Sequence, residues 1–179
     1  EMAGADLIIV WGGNPVTTQV NVMTHISQAR KERGAKLIVI DPYRTPSAEA
    51  ADQHVLLRPG TDGALACAIM HVLFRDGFAD HDYMAEYTVD WEQMQQHLGT
   101  RTPEWAEAIT GVSAAEIEAL AKLYGETERA YIRVGYGLSR SRNGVAQIHA
   151  ITCIPSVTGK WKHESGGAFW SNRIPYNWD

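Results

Sequence analysis

The sequence predicts an α/β domain with three layers, a mainly parallel sheet carrying helices on both faces. Three observations carry this. Short apolar runs at 6–10, 36–40 and 130–134 have the unbroken hydrophobicity of strands buried on both faces. Segments of helical periodicity separate them. Polar, glycine-containing turns follow the runs, as they do where strands deliver their loops to one edge. The pattern is that of a Rossmann-like, dinucleotide-binding domain, and one such domain accounts for all of 1–179.

The first run, Asp6-Leu-Ile-Ile-Val10, stops at Trp11-Gly-Gly-Asn-Pro15. Val22, Met23, Ile26 and Ala29 then recur at helical spacing. Arg30, Lys31 and Arg33 followed by Gly34 supply the stop signal, cations in the last turn and then glycine. Lys36–Ile40 is the second strand, so strand, helix and parallel strand form a right-handed crossover unit. A weaker third strand is expected at His54–Leu57. Thr61 is the expected N-cap of a helix through Arg75, on which Leu65, Ile69 and Leu73 share a face.

Residues 80 to 110 are expected to form two short helices with a polar linker. Ser113 and Glu116 form a capping-box pattern for the next helix, whose apolar face is Ile117, Leu120, Ala121 and Tyr124. The strand Ala130–Val134 leads into Gly135-Tyr-Gly137 and a helix from about Arg142 to Val157, which Pro155 should kink or end early. From Gly159 the periodicity dissolves among Trp161, Phe169, Trp170, Tyr176 and Trp178. Aromatics without periodicity imply that 159–179 packs on further domains.

Composition narrows the function. A net charge of −5 argues against nucleic acid and anionic membrane as partners. No apolar run reaches the ~20 residues of a membrane span, so direct membrane insertion is not expected. Glu1-Met-Ala-Gly4 has the character of neither a signal nor a transit peptide and is expected to be a cut within a longer chain, which leaves the compartment unassigned. The two cysteines, Cys67 and Cys153, lie in apolar helical patterns as buried small hydrophobes, with no Cys-x-x-Cys for zinc or an iron–sulfur cluster. The seven histidines lack metal-ligand spacing; only His54 lies beside a candidate site. No metal-binding or catalytic side chain is expected within the chain.

The candidate site lies where the strands end. Small residues after the first strand let backbone approach a pyrophosphate at a helix N-terminus, with Asn14, Thr17 and Thr18 as neutral donors. The same segment also suits an ordinary strand-to-helix turn. Asp41 lies 27 positions beyond Asn14, where an acidic residue accepts ribose hydroxyls; the alternative is a loop cap before Pro42. Asp62 can accept both N1–H and the exocyclic amine of guanine, a donor pair that adenine lacks; the alternative is a first-turn helix carboxylate. Arg58 and Arg140 suit phosphate or a ring edge.

In this order and spacing, Trp11-Gly-Gly-Asn-Pro15, Ile40-Asp-Pro42 with Thr45, Arg58-Pro-Gly-Thr-Asp62, Gly111-Val-Ser113 with Ile117, and Gly135-Tyr-Gly-Leu-Ser-Arg140 with Asn143-Gly144 are similar to a known family. They resemble the molybdopterin oxidoreductases that use a bis-molybdopterin guanine dinucleotide: formate dehydrogenases, nitrate reductases and dimethyl sulfoxide reductases. The resemblance implies molybdenum or tungsten held by pterin dithiolenes. It implies Gly12 and Asn14 against the diphosphate, Asp41 against the ribose and Asp62 against guanine, with the turn of Gly135, Tyr136, Gly137 and Arg140 near pterin or diphosphate. Trp11, Thr17, Thr18, Pro42, Thr45, Arg58, Gly60 and Thr61 are further expected cofactor-binding residues. It further implies that the metal ligand and a 4Fe–4S cluster belong to other parts of the polypeptide, that those parts and an electron-transfer subunit are the partners, and that this segment alone is inactive.

Two departures stand out. Tyr43 replaces an arginine common after Asp-Pro, and Thr158–Gly167 follows a wording unlike that of formate dehydrogenases, which points away from formate as substrate. The first rival reading is an NAD(P)-binding domain, disfavoured because Gly-Gly-Asn-Pro is not a full Gly-x-Gly-x-x-Gly. The second is an interaction module resting on the aromatic tail alone.

Overall fold

A computed structural model describes residues 1–170. The elements in order are β1 (Leu7–Trp11), α1 (Pro15–Thr18), α2 (Val20–Arg33), β2 (Lys36–Ile40), α3 (Pro46–Glu49), β3 (Gln53–Val55) and α4 (Asp62–Arg75). Then come α5 (His81–Tyr87), α6 (Trp91–Leu98), α7 (Pro103–Thr110), α8 (Ala114–Glu126), β4 (Ala130–Val134), α9 (Gly144–Val157) and β5 (Gly167–Trp170). The five strands form one sheet in the order β3-β2-β1-β4-β5, and every pair is parallel. The expected α/β class and parallel sheet are present.

Strand alternation explains the layers. Leu7, Ile9 and Trp11 of β1 face a core shared with α4, α8 and α9. Ile8 and Val10 face the opposite way, into a second core with Ile26 and Ala29 of α2. Both faces of β1 are buried, so the run needs no polar alternation.

Five expectations change. The third strand runs Gln53–Val55 instead of His54–Leu57. Residues 80–110 hold three helices, not two. Thr102 starts the third by accepting from the Trp105 backbone N–H at 3.3 Å, with Pro103 at the first helical position. α9 begins at Gly144 and continues two residues past Pro155, which sits in its last turn. Ser113 caps α8 by accepting from the Glu116 N–H at 3.3 Å, but the Glu116 carboxylate accepts from Gln53 instead of closing the box. Finally, part of the aromatic tail belongs to the sheet: Ile132, Arg133 and Val134 of β4 pair with Ala168, Phe169 and Trp170. Trp161 packs edge-on against Phe169, which stacks on Tyr131 with ring centres 4.6 Å apart. Tyr176 and Trp178 lie outside the described residues.

The turn into β5 buries Lys160, which is 5% exposed. Its Nζ donates to the carbonyls of Thr127 at 2.6 Å and Gly125 at 3.3 Å. Burial pulls this amine down from 10.5 to about 8. Between those values the unfolded chain holds more proton than the folded one, so this residue makes stability rise with pH across that window. Wild type is therefore expected to gain ~1–3 kcal/mol relative to Lys160→Met between about pH 8 and 10.5. Urea unfolding of both proteins across the window checks this; parallel curves would refute it.

Candidate functional site

From β1 the chain proceeds to β2 and β3 on one side and to β4 and β5 on the other. The connections from β1 and β4 run to opposite sides of the sheet, while the turns that leave their carboxyl ends lie against each other with open space on either side. The two turns extend the sheet by one layer. Gly12 N–H donates to Ile40 C=O at 2.8 Å, Gly135 N–H to Trp11 C=O at 2.7 Å, and Gly137 N–H to Gly12 C=O at 3.1 Å.

The glycines serve this contact first. Gly12 has φ +66°, in the left-handed region. A Cβ on Gly135 would lie 2.1 Å from the Gly12 carbonyl oxygen. In the sequence alone these small residues suit the approach of a pyrophosphate; the structure shows that two turns must first approach each other.

Two cavities flank the pair. One of about 230 Å³ is bounded by Asp41 and Pro42, by Pro59, Gly60 and Asp62, and by the turn from Gly137 to Ser141. The other, of about 370 Å³, lies among Gly13, Asn14, Thr18, Gln19, Gly135 and Tyr136. Gly12, Gly137 and Arg140 line both, and Arg140 is the one cation in either lining among the described residues. A glycine wall, two carboxylates and a shared arginine suit a ligand with polar ends and an anionic middle.

Asp62 opens α4 and is 7% exposed. Its Oδ1 accepts from the Trp11 indole N–H at 2.8 Å. Burial pushes its carboxyl above the usual range, and the indole hydrogen bond pulls the other way. Burial also raises Asp41, against the Tyr43 backbone N–H, which donates to its carboxylate at 2.9 Å, and the nearby His54. The ring of His54 contacts the Asp41 carbonyl oxygen at 2.9 Å and lies behind the cavity wall.

Several residues singled out by sequence do not face the cleft. Arg58 turns away: its Nη1 donates to the carbonyls of Ala108 at 2.8 Å and Ile109 at 3.1 Å, capping the end of α7. Trp11 is fully buried in the core and reaches the site only through Asp62. Thr45 is buried as the N-cap of α3, accepting from Ala48 N–H at 3.2 Å. Thr61 donates to Arg58 C=O at 2.7 Å and closes its own loop. Thr17 accepts from the Asn14 side-chain amide at 3.1 Å; Thr18 lines the second cavity, with its hydroxyl donating to Asn14 C=O at 2.9 Å. Asn14 lines the second cavity, but its Oδ1 accepts from Ser47 at 2.7 Å, tying α1 to α3.

Sequence reasoning missed Ser47, Gln19, Leu138, Ser141 and Gln147. Gln147 carried a signal, a lone amide in line with Ile151 and Ile154 on the buried face of α9. The others have none, since single Ser, Gln and Leu residues occur in turns and helices everywhere.

Comparison with known proteins agrees with this architecture. The family model described as molybdopterin oxidoreductase matches residues 1–174. The Bacillus subtilis protein named "Probable oxidoreductase YoaE" is 41% identical over 179 residues, covering 99% of this chain and 26% of that protein. Formate dehydrogenase H of Escherichia coli is 35% identical, with 89% of this chain and 22% of its own length covered. Among solved structures, acetylene hydratase from Pelobacter acetylenicus has a TM-score of 0.79 at 25% identity, over 89% of this chain and 22% of that one. The chain thus spans about a quarter of the length of the curated relatives it matches. With a family model matching nearly its whole length, the chain belongs to the molybdopterin oxidoreductase family.

Proposed function

We propose that this domain holds the guanosine diphosphate and pterin portion of a molybdopterin guanine dinucleotide within a molybdenum or tungsten oxidoreductase. The observation that carries the reading is the buried Asp62 carboxylate facing the first cavity, with Arg140 at its junction with the second. Guanine would sit against Asp62, ribose against Asp41, and diphosphate between Gly12, Gly137 and Arg140. The second cavity would take the remainder toward the pterin. The residues fit such a group: backbone is bare at Gly12 and Gly137, the one lining cation lies where the phosphates would be, and the carboxylates lie where donors would be.

When bound, such a cofactor supplies two-electron redox or oxygen-atom transfer at its metal. The chain's own residues bind and orient it and lend hydrogen bonds. Their share is affinity and placement; no general acid, base or nucleophile is assigned to them. The bis form of the cofactor, the metal ligand, a 4Fe–4S cluster, the remaining domains of the same polypeptide and an electron-transfer subunit are the complements this reading requires. Residues 1–179 alone are therefore expected to lack redox activity.

The test is titration with GDP and ADP, followed by amide shifts, for wild type and Asp62→Ala. GDP is expected to shift Gly12, Asp41 and Asp62, ADP to bind at least ~10-fold more weakly, and Asp62→Ala to remove the preference. Equal binding of ADP or NAD would sink the guanine assignment and favour an NAD(P)-binding domain.

A further inference from the structure

We infer that Trp11, although it lines neither cavity, sets the base specificity of this site by holding the Asp62 carboxyl ionised and in a single orientation, with Gln147 fixing the helix start that carries it. This rests on the guanine reading above.

Three polar side chains meet where almost no water reaches: Trp11 is 0%, Gln147 2% and Asp62 7% exposed. The Trp11 indole N–H reaches Asp62 Oδ1 at 2.8 Å across 51 positions of sequence. The Asp62 backbone N–H donates to Gln147 Oε1 at 3.1 Å. Gln147 Nε2 in turn donates to Ser141 Oγ at 3.1 Å and to Asn143 Oδ1. Ser141 Oγ closes the path by donating to Leu138 C=O at 2.8 Å. One buried network thus joins the end of β1, the start of α4 and the turn that carries Arg140. The two walls of the first cavity are held at a fixed spacing.

The charge state follows from the same contacts. A buried carboxyl tends toward its protonated form, which donates a proton and loses one of the two acceptor oxygens guanine requires. The charged groups around it do not settle the matter alone. Asp41 across the cavity is a like charge, each carboxylate raising the other, and Arg140 lines the same cavity from the facing turn. His54 stands behind Asp41, and Arg58 is committed to the end of α7. From β1 and α9 the groups that face Asp62 are neutral, Trp11 and Gln147, so the indole N–H is the side-chain donor to the carboxylate, beside the backbone N–H of Asp62 itself. It also selects the oxygen it touches, leaving Oδ2 and the second lone pair of Oδ1 for the ligand. Plain packing explains a buried tryptophan; it does not explain aiming the one polar atom of that ring at the more buried of the two carboxylates that line the cavity.

The test replaces only that N–H. β-(3-Benzothienyl)alanine at position 11 keeps the ring shape and lacks the donor, and Trp11→Phe gives the same contrast with a natural residue. In ligand-free protein, the Asp62 carboxyl titration is read by carbon-13 shift, and GDP affinity is measured between about pH 5 and 8. The Asp62 midpoint is expected to move up by about one unit in both variants, with GDP affinity falling ~10-fold below that midpoint and recovering above it. GDP binding with an unmoved Asp62 titration would overturn the role of Trp11 alone. A wild type that binds no GDP at any pH would overturn the guanine reading and the specificity claim with it, whatever the Asp62 titration does.

Discussion

Adding one methyl group at residue 135, by Gly135→Ala, is expected to cost ~3 kcal/mol or more of stability and to disorder the cleft. The new Cβ would lie 2.1 Å from the Gly12 carbonyl oxygen and 2.5 Å from its carbon, with Gly13 Cα at 2.6 Å. All three are backbone atoms held by the ladder, since Gly12 N–H is bonded to Ile40 and Gly135 N–H to Trp11. No rotamer change relieves the clash; one of two central strand ends must move. Gly60→Ala is the matched control. It has φ +78° but no atom within 4 Å of an added Cβ, so only the backbone strain of ~1 kcal/mol applies. Thermal unfolding of both variants decides. Equal, small losses would mean that the two turns can slide apart.

That contrast bears on what a sequence can reveal. The glycines were legible as turn residues, but turn, ligand approach and turn-on-turn contact all ask for glycine. Only the β1–β4 adjacency, a long-range fact, separates them. The same limit hid β5. Central strands announce themselves through apolar runs such as Leu37–Ile40, which are buried on both faces. Gly167–Trp170 is four residues long, lies at the sheet edge and offers two aromatics and a glycine. Its pairing with β4 is specified by where the Lys160–Lys162 turn aims it, and no local period records that.

The site was legible to the extent that strand ends define it. Gly12, Asp41, Asp62, Gly137 and Arg140 come together because their loops share one edge. Side-chain direction was not legible. Thr45 and Arg58 satisfy a helix N-terminus and C-terminus respectively, and the residue types that cap helices are those that bind anions. Capping takes precedence for both because the helix ends they serve lie within reach of their own side chains, before any ligand arrives.

Asp62→Asn is expected to exchange guanine for xanthine preference. Guanine offers two donors along one edge, N1–H and the 2-amine. Xanthine keeps N1–H but carries an oxygen in place of the amine. A carboxylate meets the first pattern with both oxygens; an amide meets the second with oxygen and NH₂, provided it is oriented correctly. The Trp11 N–H, 2.8 Å from Oδ1, supplies that orientation, because it requires an acceptor at that atom and so turns the new NH₂ toward the cavity. Oδ1 keeps a second lone pair for N1–H. The substitution is nearly isosteric and leaves the Gln147 contact to the backbone N–H intact, so the fold is expected to persist. GDP affinity is expected to fall ~100-fold, with XDP affinity rising by a comparable factor. Calorimetric titration of wild type and variant with both nucleotides reads the exchange directly. A variant that binds GDP as wild type does would place the carboxylate outside base recognition, and Asp62 would then be only the first-turn acid of α4.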